Sequence, residues 1–217
     1  MDPIVQVVKV AGKDALTELQ KYRKDFDNTK RFPFIVGTDE ELETLREYLS
    51  PPEDGGAAYL EEAAQVDIVE WLKSKAPKSR SSWPKSPLPP VKTPSTLYDV
   101  LTNHLKPEIN IAFVQVEHAW EVFAKLGYGD WNDCPPPHIH VALHKYWAEK
   151  FKSSPVAILS DIVECHAPQT LSIQKDALLL AREQYAYCYD IVEQGTGTIG
   201  KLASSLLGST FWYFWWD

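Results

Sequence analysis

The stretch H-I-H-V-A-L-H-K-Y-W-A-E-K-F-K (138–152), followed after three residues by V-A-I-L-S-D-I-V-E-C (156–165), decides how this chain reads. The first segment is a helix, and the second is a short, β-branched, apolar strand. Upstream, N-I-A-F-V-Q-V (110–116) is another strand and residues 118–126 a short helix. Between the helices, G-Y-G-D-W-N-D-C-P-P-P (127–137) reads as a loop, because it holds two glycines and three consecutive prolines. Strand, helix, strand points to a right-handed βαβ crossover and a locally parallel pair.

Outward from this unit the alternation continues. Residues 173–190 form a long helix, with Ala177, Leu180, Ala181, Gln184 and Cys188 on one seam. Residues 198–207 form a shorter helix, stopped by Gly208. T-F-W-Y-F-W-W (210–216) is a strand with aromatic side chains on both faces. A strand without a polar face is usually buried on both sides, so a central place in the sheet is expected. Towards the N-terminus, residues 4–10 and 32–36 are strands, and 13–26 and 57–75 are helices. Thr38 opens a further helix, with Thr38 and Glu41 forming a capping box before Leu42, Leu45 and Leu49. The expected fold is α/β, or mixed α+β, with a mostly parallel or mixed central sheet flanked by helices.

Charge divides the 217 residues into three parts. Residues 1–75 are net −6, residues 76–106 net +4 and residues 107–217 net −6, which sum to the chain's −8. The middle part contains six prolines between Ala76 and Ser95, a composition for an extended, irregular, exposed linker. Lys78, Arg80 and Lys85 are its expected first protease sites. The expected organisation is an N-terminal α/β segment (1–75), a basic Pro/Ser-rich linker (76–106) and a C-terminal domain (107–217). The acidic balance argues against a nucleic-acid binder, since phosphate contacts need clustered Lys and Arg. No run approaches the ~20 apolar residues of a membrane span. Neither a leader segment nor a disulfide framework is apparent, with three scattered cysteines at 134, 165 and 188. A cytoplasmic location is expected.

Three motifs stand out: G-Y-G-D-W-N-D-C-P-P-P (127–137), A-R-E-Q-Y-A-Y-C-Y-D-I-V-E-Q-G (181–195) and W-Y-F-W-W-D (212–217). In type, order and spacing they resemble the mainly bacterial, uncharacterised family catalogued as domain of unknown function 4253, over residues of about 107–217. That resemblance implies no activity, cofactor or mechanism. It does imply that the three motifs make the characteristic surface or core of the unit.

Read as chemistry, the motifs offer several candidates. Asp133, Cys134, His138, Glu183 and Asp190 are candidate catalytic groups: a thiol that a nearby histidine would activate, and carboxylates for acid–base work. Glu183 and Asp190 lie seven apart and are expected on one helix face, with Arg182 beside them. Trp131, Asn132, Asp133, Glu183, Tyr187, Asp190 and Trp216 are candidate binding residues. His140 and His144, four apart on one face, are weak candidates for a metal site with Glu183 or Asp190. Without an H-E-x-x-H pattern or a cysteine cluster, no metal and no cofactor is expected. A structural network is the favoured reading. In it, the Trp131–Pro135 loop packs on the Glu183–Asp190 face near the end of the last strand, and carboxylates accept from buried indoles. The expected function is a non-enzymatic module, of immunity or adaptor type, that binds a protein partner, a basic one on charge. A small hydrolase using the Trp131–Cys134 loop with Glu183 and Asp190 is the alternative.

Overall fold

The computed structural model describes residues 2–77 and 81–217. Lys78 and Arg80, two of the expected protease sites, lie outside the described residues. The strands are β1 (Ile4–Ala11), β2 (Arg31–Gly37), β3 (Glu108–Gln115), β4 (Ser154–Ile158), β5 (Ile162–His166) and β6 (Phe211–Trp215). They form one mixed sheet in the order β1-β3-β2-β4-β5-β6. The helices are α1 (Ala15–Lys24), α2 (Phe26–Thr29), α3 (Asp39–Tyr48), α4 (Ala57–Gln65), α5 (Ile68–Lys75), α6 (Val122–Leu126), α7 (Pro137–Phe151), α8 (Gln174–Tyr187) and α9 (Ile199–Leu206). Among the described residues, no helix is long and apolar enough to cross a membrane.

The period of two along each strand sorts side chains between two cores. Phe32, Phe34 and Val36 of β2, with Ala112 and Val114 of β3, enter the larger core with residues of α3 to α9. Ile35, Ile109, Ile111 and Phe113 enter a smaller core with Ala15 and Leu19 of α1. The sheet therefore has a thick face covered by many helices and a thin face covered by α1. The capping box at Thr38 forms as its sequence predicts, with Glu41 N–H donating to Thr38 Oγ1 and Thr38 N–H to Glu41.

Several expectations need correction. The stretch 156–165 is not one strand but the hairpin β4–β5. Ser160 and Asp161 are turn residues, and Leu159 N–H closes the turn onto Ile162 O at 2.8 Å. The βαβ crossover with a parallel pair is absent, because β2 lies between β3 and β4. It runs antiparallel to β3 and parallel to β4, so β3 and β4 point in opposite directions. Residues 57–75 split into α4 and α5, since Asp67 caps a new helix by accepting from Glu70 N–H at 3.0 Å. The aromatic strand β6 belongs to the sheet, but at its end rather than its middle.

How an aromatic strand tolerates an edge follows from the proline-rich segment. Residues 81–94 are irregular and mostly exposed, yet anchored. Leu88 N–H donates to Ser204 Oγ at 2.8 Å, and Thr210 N–H to Val91 O at 3.0 Å. The Ser82 carbonyl lies 2.0 Å from where a Cβ on Gly200 would sit, so only glycine admits the contact. The strand of chain then passes the start of β6 onto the thin face, where Thr96 and Leu97 are buried. There the Glu164 carboxylate, 1% exposed, accepts four hydrogen bonds of 2.6–3.1 Å, from the N–H and hydroxyl groups of Ser95 and Thr96. The segment is thus a strap around the sheet edge. Because β1 and β2 flank β3, the expected boundary at 76–106 does not separate two sheets.

Candidate functional site

The thick face holds a chain of polar side chains inside an aromatic core. Helix α7 starts at Pro137, where a missing N–H is harmless, and carries His140 and His144 one turn apart. Helix α8 ends at Tyr187, whose hydroxyl lies between the two rings: 2.6 Å from His140 Nδ1 and 3.1 Å from His144 Nε2. Cys134 Sγ is 3.4 Å from His140 Nε2, and Cys165 Sγ is 3.7 Å from His144 Nδ1. Phe123 stacks on both imidazoles, at 5.0 and 4.4 Å, and Trp216 and Trp147 approach them edge-on.

Donor and acceptor roles follow from counting protons. The Tyr187 hydroxyl has one proton, so it donates to one imidazole and accepts from the other. Every member is neutral. Burial pushes the His140 imidazole well below its usual range, with His144 a further cause, and pushes His144 down to about 3. Burial likewise raises the thiols of Cys134 and Cys165 and the Tyr187 phenol.

The loop over this chain is held in left-handed turns, with φ of 68° at Asp130 and 45° at Asn132. At Gly129 φ is 109°, and a Cβ would lie 2.1 Å from Pro135 O and 2.8 Å from His140 Nε2. The loop meets the other two motifs. Asn132 Nδ2–H donates to Asp217 O at 2.7 Å, and Tyr189 O–H donates to Asp133 at 2.6 Å. Trp131 sits edge-on to Tyr128 and to Trp216.

Convergence of loop, helix end and tail is therefore present, but Glu183 is not part of it. Helix α8 stops at Tyr187, and Asp190 precedes a π-helical turn at Ile191–Thr196, so Glu183 and Asp190 share no helix face. Glu183 accepts instead from α7: Trp147 Nε1–H at 3.0 Å, Tyr146 O–H at 3.1 Å and Lys150 at 2.8 Å. Asp190 is buried and accepts from Asp217 N–H at 3.3 Å and from Gln194 at 3.1 Å. His138 faces Glu62 at 3.2 Å, away from the thiol. Arg182 donates to Pro77 O in the strap at 2.7 Å. The indoles of Trp147 and Trp215 find carboxylates, Glu183 and Asp161, whereas Trp216 Nε1 has no partner among the described residues.

Cys134, His140 and Tyr187 have the connectivity of a nucleophile, a base and an orienting group. Their environment opposes that chemistry, since burial keeps the thiol protonated and the imidazole a poor proton acceptor. Among the described residues, no group of three His, Cys, Asp or Glu is placed to hold a metal ion. His140 and His144 share one helix face as their spacing predicts; both are fully buried, and Tyr187 takes up one nitrogen of each. Sequence reasoning missed Cys165 and the Glu164–Ser95–Thr96 cluster. Glu164 in a β-branched strand is a signal for the latter, because a carboxylate there needs donors from elsewhere.

Residues 110–217 match the model of the family described as "Domain of unknown function (DUF4253)". No curated protein and no solved structure matches the chain.

Proposed function

For a chain that belongs to this family through residues 110–217, we propose the function of a non-enzymatic protein-binding module, of immunity or adaptor type, whose partner is basic. One observation carries the reading. Residues 38–70 contain eleven acidic residues and a single base, Arg46, a surplus of ten against the whole chain's eight. All of those acids except Glu41 are exposed. Such a surface steers basic proteins and repels nucleic acid and acidic partners. The fate of the candidate catalytic groups supports the same reading: Asp133, Glu183 and Asp190 each take different structural partners, and Cys134 is buried. Three free, buried thiols fit a reducing, cytoplasmic setting in a bacterial cell.

The test is association with a defined basic protein, lysozyme, at several salt concentrations. Binding should weaken steeply with salt, and Glu40, Glu47, Glu53 and Glu61 replaced together by Gln should slow association several-fold. A small hydrolase is the second reading, favoured by the Cys134–His140–Tyr187 chain alone. Turnover of thioester or ester substrates that disappears in Cys134→Ser would replace the first reading with it.

A further inference from the structure

We infer that a cleft on the thin face, between the Val100–Leu101 tip and the outer side of β6, docks an apolar segment of the partner that bears an arginine or lysine. This rests on the basic-partner reading and states where engagement occurs. The cleft encloses about 580 Å³ and is lined by Asp99, Val100, Asp161, Tyr213 and Trp215, among others. Val100 and Leu101 are 93% and 91% exposed, far beyond the other large apolar side chains. They are nevertheless firmly placed. Asp99 N–H donates to His104 O at 2.8 Å, Thr102 donates twice to Asp99 Oδ1, and Tyr98 bridges Leu105. A rigid tip that shows two aliphatic side chains to water marks a surface that a partner covers.

The rest of the cleft defines the occupant. Tyr213 is 36% exposed, and its hydroxyl has no hydrogen-bond partner among the described residues. Trp215 is fixed by its indole N–H to Asp161 Oδ2 at 3.0 Å, which holds ring and carboxylate side by side. Among the described residues, neither Asp99 nor Asp161 forms an ion pair. The lysine lining the cleft, Lys106, is bound by both oxygens of Glu41, at 2.5 and 2.7 Å. Burial raises the Tyr213 phenol first, and the Glu164 and Asp161 carboxylates raise it further, so the field there is negative. A cation beside the aromatic rings and the two carboxylates, neither of which forms an ion pair among the described residues, with its aliphatic stem on Val100, matches these walls. An anionic segment would face the Asp99 and Asp161 carboxylates, while the cleft's lysine, Lys106, is already held by Glu41.

The experiment titrates the full chain, labelled with ¹⁵N, with a synthetic peptide of alternating Arg and Leu, and with its Glu-for-Arg counterpart. The indole N–H signal of Trp215, assigned with Trp215→Phe, should move with the first peptide. The indole signal of Trp147, on the other face, should stay still. Val100→Ser with Leu101→Ser alters only exposed side chains and should weaken the first peptide about tenfold or more. If the peptide binds with Trp215 unmoved, or binds the double variant equally, the cleft is wrong while the basic-partner reading stands. Equal binding of the Glu peptide overturns the choice of a cation. If neither this peptide nor lysozyme binds, the basic-partner reading itself falls, and the docking site with it.

Discussion

The two faces of the sheet bury polar groups by opposite means. On the thick face, Cys134, His140, Tyr187, His144 and Cys165 share protons in a chain in which every member is neutral. On the thin face, one carboxylate, Glu164, receives four donors from two consecutive residues of the strap. Four donors and no acceptor suit the ionised acid, even though burial raises its pKa. The first arrangement is intolerant of protons. The second is intolerant of losing the strap. Neither looks outward, which is why the acidic surface and the cleft, rather than these two buried networks, bear the functional reading.

Acidification should separate the two faces most strongly. The folded-state pKa of each histidine is depressed, so its contribution is complete above the unfolded value of about 6.5 and is lost as pH falls below it. For His144 the loss continues to about 3. An imidazole that stays neutral in the fold removes about 1.4 kcal/mol per pH unit below its unfolded value, so stability should fall steeply as pH drops from about 6.5 towards about 4.5. Glu164, with a raised pKa, acts in the opposite sense, since the fold gains stability as it protonates. Denaturant melts across this range measure the sum, and His144→Leu should flatten the slope. A flat profile in the native chain would mean that the imidazoles are not neutral and buried.

Loosening the strap comes next in size. Ser95→Ala with Thr96→Val removes two hydroxyl donors from a buried carboxylate, at a cost of about 3–5 kcal/mol. If Glu164 is instead hydrated, urea melts will show a loss below about 1 kcal/mol. The smallest effect belongs to Glu183→Gln, which keeps an acceptor for the Trp147 indole but gives up the half-exposed Lys150 pair. A decrease of about 1 kcal/mol in stability is expected, with lysozyme binding unchanged. A loss of binding without a loss of stability would return Glu183 to the list of functional groups.

Much of this was legible in the sequence, for reasons that differ by element. The Thr38–Glu41 box, the α7 helix and the loop between α6 and α7 are local, and local chemistry specified them. The meeting of loop and tail was foreseeable, since Asn132 and the buried indoles need partners. The order of strands was not foreseeable, because nothing near β3 signals that β1 and β2 come to flank it. The aromatic strand β6 misled for a related reason. Its second face is only partly covered: Tyr213 and Trp215 line the cleft, and a strap that composition alone presents as a linker runs past the start of the strand. Glu183 and Asp190 misled because a spacing of seven aligns side chains only while the helix continues, and α8 ends between them.

The central claim, that the Cys134 chain is structural rather than catalytic, is tested most directly by thiol reactivity. The native chain would be treated with iodoacetamide between pH 6 and 9, with labelling at each cysteine read by peptide mass spectrometry. A structural role requires slow labelling of Cys134, accelerated many-fold by denaturant, with a rate that still rises with pH above the ordinary thiol range of about 8.5. Rapid labelling of native Cys134 that is already at its plateau by pH 7 would show a thiolate poised beside His140, and would contradict it.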